Sequence, residues 1–294
     1  MINAIRDCLP PDRNPRKPKL ALPPGSIDTH VHVFAPGYPL SPGRGYTPPH
    51  STLADLEHLH ATLGIERVVF TQPSVYGIDN SAILDAMAAL NARTPDRARS
   101  VVALDLGFKD QQIQELDAAG VRGIRLNMDN KGGMPIGIGE IPELAARIRP
   151  FGWHLEFLFP GKDILELMPV FRALRVPVSI AHFAYQPASA GVKAPGFQAL
   201  LELVGRGNAW IKISGANRVS ATDLPPYDDV KPMAQALIEA APQRIMWGTD
   251  WPHPNKYLVN PNDGDLVDAL GDWVTDDAMR RRIMVDNPAA FYRF

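Results

Sequence analysis

Cysteine is almost missing: Cys8 is the only one in 294 residues. This excludes an intramolecular disulfide and any cysteine-based metal site, and it is what a reducing compartment would show. Long apolar runs are missing too. No window approaches the roughly 18 apolar residues needed to cross a bilayer, and the N-terminus lacks the apolar stretch of a signal peptide. The expectation is a cytoplasmic protein without a membrane partner. Charge of one sign is the third absence, since 30 Lys plus Arg face 32 Asp plus Glu and neither forms a block. There is then no electrostatic footprint for nucleic acid or an anionic surface, and a small molecule is the expected partner. No Gly-x-Gly-x-x-Gly turn follows the first strand-like run, which speaks against a dinucleotide site.

What is present is proline at one end and a regular alternation after it. Six prolines fall between residues 9 and 24 (10, 11, 15, 18, 23 and 24), a composition suited to an extended arm that is either disordered or packed on the barrel or on a neighbouring subunit. Residues 1–24 are read as this arm and 25–294 as one catalytic domain, monomeric or homo-oligomeric. Beyond the arm, eight β-branched or apolar runs alternate with helix-like stretches, near residues 27–34, 67–72, 100–106, 123–128, 154–160, 178–183, 209–215 and 245–251. Helical spacing is plain in Leu53, Leu56, Leu59 and Leu63. Eight strand–helix units predict a closed (β/α)8 barrel, an α/β fold whose functional side chains gather at the C-terminal ends of its strands.

The chemistry-bearing residues sit where that rule places them. In Ile27-Asp28-Thr29-His30-Val31-His32 the two histidines share a strand face, and burying two imidazoles costs free energy unless each finds a partner. The sixth run ends on His182. The eighth ends on Asp250, at the entry to a loop stiffened by Pro252 and Pro254, with His253 read as a rim or supporting residue.

The His-x-His pair, His182 and Trp247-Gly248-Thr249-Asp250-Trp251-Pro252-His253 resemble the amidohydrolase superfamily, and within it the branch of 2-pyrone-4,6-dicarboxylate lactonase and sugar lactonases. The resemblance runs from about residue 25 to Asn287-Pro288. It includes Tyr46, Gln72-Pro73-Ser74 with Gly77 and Asp79-Asn80, and Arg122-Gly123-Ile124-Arg125-Leu126-Asn127. It implies lactone ring opening, with Asp250 taking a proton from the attacking water and His30, His32 and His182 holding the developing oxyanion. Arg125 would grip a substrate carboxylate and Arg218 a second. Tyr46, Ser74, Asn127, Tyr185 and Gln186 would read substrate hydroxyls.

Two imidazoles, a third imidazole and a carboxylate also suffice for one divalent ion, with zinc the usual guess. A binuclear centre needs a bridging lysine or glutamate on strand four and a histidine at the active end of strand five. This chain offers Arg125 and Asn127 on the one and, on the other, His154 at the N-terminal end with Glu156 low. The lactonase resemblance implies a mechanism that requires no cofactor, and that is the expectation here. The chain departs from the dicarboxylate lactonases in reading Phe183-Ala184-Tyr185-Gln186-Pro187 where they carry a Gly-Arg-Pro-like turn, and Asp129-Asn130-Lys131-Gly132-Gly133 where they carry a second arginine. Fewer fixed cations favour a polyhydroxylated sugar-acid lactone over a rigid aromatic dicarboxylate. The rivals are a lactone isomerase using a substrate hydroxyl as nucleophile, a metal-dependent decarboxylase of an aromatic acid, and an inactive barrel that only binds a sugar acid.

Overall fold

The computed structural model describes residues 5–129 and 136–294; residues 130–133 of the loop that departs from the lactonase pattern lie outside the described residues. Eight short strands alternate with helices: β1 (Ile27–Val31), β2 (Arg67–Thr71), β3 (Ala98–Val102), β4 (Val121–Asn127), β5 (His154–Leu158), β6 (Val178–Ile180), β7 (Ala209–Lys212) and β8 (Ile245–Met246). They pair in parallel in the order β8-β7-β6-β5-β4-β3-β2-β1. The seam between the ends of that sheet is bridged by Thr29 N donating to Trp247 O at 3.2 Å and Asp250 N to His30 O at 2.9 Å. This is the (β/α)8 barrel that the alternation predicts. Gly248 makes the seam possible: a Cβ there would stand 2.8 Å from His30 N and 3.0 Å from Asp28 Oδ1, so only glycine lets the two chains approach so closely.

The coat consists of α1 (Leu53–Leu63), α2 (Ser81–Arg93), α3 (Asp110–Ala119), α4 (Ile141–Ile148), α5 (Ile164–Ala173), α6 (Pro195–Gly205), α7 (Lys231–Ala240) and α8 (Asp263–Trp273). Local signals fix their ends. Thr52 and Asp55 exchange hydrogen bonds as a capping box before α1, and Gly64 closes it at φ 81°, a device in which the cap alone is worth about 1 kcal/mol. In α4 the buried residues Ile141, Leu144, Ala145 and Ile148 make one apolar stripe against the sheet. After β8 come α8 and the helical C-terminus (Asp277–Tyr292). Ile27, Val69, Val101, Met246 and Tyr292 pack together at the N-terminal ends of the strands, and His154 lies against Phe291, ring centroids 4.5 Å apart. The C-terminal helix thus plugs the barrel floor and leaves the opposite end for chemistry.

All eight strands stop short of their expected C-terminal ends, β1 at Val31 and β7 at Lys212 among them. The third begins at Ala98 rather than 100 and ends at Val102. The sixth stops at Ile180 and the eighth at Met246, because the residues that follow turn out of the ladder to form the site. The proline-rich arm lies on the barrel. Arg6–Asp7 pairs with Tyr46–Thr47, Arg16 reaches Asp265 at 2.5 Å and Asp268 at 2.6 Å, and Asp268 also accepts from Lys19 N and Leu20 N. Among the described residues no helix is long and apolar enough to cross a membrane.

Candidate active site

A register shift between Asp28 and Val31 re-phases β1, as a bulge does, so that Ile27 joins the floor cluster while His30 and His32 still face the interior. Asp28 pins this kink. Its carboxylate accepts from His30 N (3.2 Å), Thr249 N (3.0 Å) and Thr249 Oγ1 (2.6 Å), tying the histidine strand to the residue before Asp250.

The histidines are each held from behind at Nδ1. His32 donates to Thr71 O at 2.7 Å, a carbonyl that can only accept. His182 pairs with Ser214 Oγ at 2.9 Å, and His30 faces Lys212 Nζ at 3.3 Å. Their Nε2 atoms converge on Asp250 Oδ1, at 3.4 Å from His182 and 3.9 Å from His30 and from His32. These gaps exceed hydrogen-bond length, as befits a site whose contacts tighten on a substrate oxygen. Oδ2 is spoken for: Arg218 Nε donates to it at 2.5 Å while Nη2 donates to Pro254 O at 2.9 Å. Burial opposes charge on Asp250, but Arg218 and then the surrounding imidazoles outweigh it and bring the carboxyl down to about 2. Burial, reinforced by nearby cations, brings His32 and His182 down to about 3 and His30 well below its usual value. At neutral pH the site therefore holds one carboxylate and three uncharged rings.

Two backbone features aim these groups. Asp250 adopts φ 66°, and His182, Phe183, Ala184 and Tyr185 form a left-handed turn with φ of 52°, 52°, 53° and 50°. Left-handed backbone costs residues with a Cβ about 1–2 kcal/mol each and collects at functional sites. Here it swings His182 inward and stacks Tyr185 on it, centroids 5.7 Å apart and planes at 19°.

The narrow recess above Asp250 is lined by His32, Tyr46, Arg125, Asn127, His182, Tyr185 and Arg218, with Leu158, Pro254 and Asn255. His30 does not line the recess; it lies fully buried behind Asp250, its Nε2 3.9 Å from Oδ1 and without a hydrogen-bond partner. Arg125 is 4 % exposed. It gives Nη1 to Gln72 O at 2.7 Å, and its Nε has no partner; among the described residues no carboxylate stands within ion-pair distance of it.

Several expected contributors sit elsewhere. Gln186 donates to Gly161 O at 2.7 Å, bracing a neighbouring loop rather than lining the recess. Ser74 is buried and also off the recess lining. Arg218 lines the recess, but its Nε is committed to Asp250. His253 is no rim residue, being fully buried with Nε2 3.1 Å from Asp263 Oδ1, where it anchors the loop after β8 to α8. Under the site lies a pair that the sequence reading missed in part. Lys212 donates to Glu156 Oε2 at 2.5 Å and to Thr29 O at 2.7 Å. Glu156 is expected low on its strand from the sequence, whereas Lys212 carries no such expectation, although a lysine between Ile211 and Ile213 on a buried strand is the signal.

His30, His32 and Asp250 can present ligand atoms within 4.8 Å of one another, the minimum for a divalent ion. His32 suits such a role, because its Nδ1 proton goes to a carbonyl, as in metal-bound imidazoles. The rest of the set fits poorly. One Asp250 oxygen is already neutralised by Arg218, and Lys212 stands behind His30 where a metal-bound histidine has an acceptor.

The family model for amidohydrolases matches residues 27–294. Three curated relatives align along nearly the whole chain. A 2-pyrone-4,6-dicarboxylate hydrolase of Comamonas testosteroni is 36 % identical, covering 95 % of this chain and 93 % of that protein. A 4-sulfomuconolactone hydrolase of Hydrogenophaga intermedia is 35 % identical over 97 % and 94 %, and a D-galactarolactone isomerase of Agrobacterium fabrum 32 % over 94 % of each. Among solved structures, a probable 2-pyrone-4,6-dicarboxylic acid hydrolase of Acinetobacter baumannii with citric acid bound superposes with TM-score 0.79 at 26 % identity, over 92 % of this chain and 100 % of that one. With a barrel of the right topology, histidines and an aspartate at its mouth, and relatives of this similarity along its whole length, the chain belongs to the amidohydrolase family.

Proposed function

We propose that this protein opens the ring of a small carboxylated lactone by hydrolysis. The observation that carries the reading is Arg125, a buried guanidinium without a carboxylate partner, facing the same recess as Asp250 and the uncharged imidazoles of His32 and His182. A buried cation is costly until an anion joins it, so the recess is built to receive one. The relatives named for anionic lactones fit the same chemistry.

In this reading the substrate carboxylate pairs with Arg125 and its ring carbonyl lies among the Nε2 atoms of the histidines. Oδ1 of Asp250, the oxygen not held by Arg218, takes a proton from water as the water oxygen attacks the carbonyl carbon. The tetrahedral oxyanion is held by N–H groups of His30 and His182, since the proton of His32 is given to Thr71 O. Its collapse breaks the ring C–O bond, and the proton on Asp250 passes to the departing alkoxide. A carboxyl at about 2 is a reluctant base; a second anionic group on the substrate would share Arg218 and loosen that hold.

Isomerisation uses the same groups with a substrate hydroxyl in place of water, and the galactarolactone isomerase relative keeps it as the second reading. A panel of sugar-acid and pyrone-type lactones followed by mass spectrometry separates them: hydrolysis adds one water to the product, isomerisation none. No turnover of any carboxylated lactone would overturn both. The poor fit of the donor set to a dication yields a further expected result. Protein treated with chelator and dialysed keeps most of its activity, and recovery only on adding zinc would show that the ring opening depends on metal.

A further inference from the structure

We infer that Lys212, supported by Glu156, is a positioning residue that holds the proton of His30 on Nε2, so that this imidazole presents an N–H to the substrate oxygen and no lone pair to a cation. A lysine ammonium has three N–H donors and no acceptor. Lys212 has three polar neighbours: Thr29 O at 2.7 Å, Glu156 Oε2 at 2.5 Å and His30 Nδ1 at 3.3 Å. The first two can only receive a hydrogen, and the third N–H is left for Nδ1. An imidazole that accepts at Nδ1 must carry its proton on Nε2, and that atom is buried, unpartnered and 3.9 Å from Asp250 Oδ1.

The competing arrangement has His30 donating from Nδ1 to Glu156 Oε1. That oxygen lies 3.5 Å away and makes no hydrogen bond, so the distance and direction favour the lysine. The arrangement inverts the usual surroundings of a metal-bound histidine, which donates its second N–H to a carbonyl or carboxylate. His32, with Nδ1 on Thr71 O, is set the opposite way: its lone pair faces the recess. Two histidines on one strand thus have opposite polarity toward the substrate, His30 giving a hydrogen and His32 accepting one, from the attacking water or a substrate hydroxyl. The catalytic consequence rests on the ring-opening reading; the direction of the hydrogen bond does not.

The test is long-range proton–nitrogen NMR on the full chain labelled with nitrogen-15 histidine, with His30 assigned by loss of its signals in His30→Asn. The expected spectrum shows pyrrole-type Nε2 and pyridine-type Nδ1 for His30, and the reverse for His32. A pyrrole-type Nδ1 on His30 would overturn the proposal whatever the enzyme's substrate. Lys212→Met with Glu156→Met removes both charges together, so neither is left buried alone. That variant should lose the fixed pattern on His30, with kcat falling by up to the roughly hundredfold of a lost oxyanion donor and KM little changed. An unaltered His30 pattern in the double variant would also overturn it. A wild-type spectrum of the expected form with no lactone turnover would count against the ring-opening reading alone.

Discussion

Replacing Asp250 by Asn should lower kcat by at least about a hundredfold, the usual contribution of a positioned general base, while KM for a carboxylated lactone stays level or falls. Asparagine keeps the shape and can still accept from Arg218 Nε, but it cannot take the proton of the attacking water. The predicted direction of KM follows from the geometry. Arg218 is drawn to Asp250 at 2.5 Å in the wild-type protein, and losing the carboxylate charge releases that guanidinium toward the substrate. Steady-state kinetics with a circular dichroism check of folding read both effects. Near-normal turnover on the true substrate would make the carboxylate structural, and the hydrolase and isomerase mechanisms would fall together.

Arg125→Met should do nearly the opposite. Truncating one partner of a buried charge pair costs roughly 2–5 kcal/mol, and every 1.4 kcal/mol or so is tenfold, so binding of a carboxylated lactone should weaken at least about thirtyfold. Its neutral analogue should be little affected. The free protein should meanwhile become more heat-stable, because a buried cation that lacks an acidic partner gives way to an apolar side chain of similar length. A Tm rise with lost affinity identifies an anion anchor. A Tm fall with unchanged affinity would mean that Arg125 serves the barrel rather than the ligand.

The barrel was legible because each of its units carries a local signature, a short apolar run followed by a stripe at helical spacing, and local signatures do not depend on distant residues. His30, His32, His182 and Asp250 could be singled out for a related reason: polar groups ending or interrupting apolar strands face the mouth in this architecture. What sequence could not give was the pairing among charges. That Arg218 attends Asp250 depends on two loops meeting across 32 positions. That Lys212 lies beneath His30 depends on 182. The arm's position was equally hidden, since it is set by Arg16 reaching Asp265 and Asp268 from the other end of the chain. The end of β6 was misjudged because alternation says nothing of a backbone about to enter the left-handed region.

That turn, His182 to Tyr185, bears on how the molecule can change over time. Four consecutive residues with Cβ atoms occupy a conformation that glycine adopts freely, so substitutions to glycine at Phe183 or Ala184 would ease the backbone while leaving the imidazole and phenol in place by name. Their aim would loosen, since a freer backbone no longer fixes the stack of Tyr185 on His182. Selection for robustness and selection for turnover therefore pull this one segment in opposite directions. A lineage relieved of its catalytic duty would be expected to drift here first, toward glycine, long before the strands themselves recorded the loss.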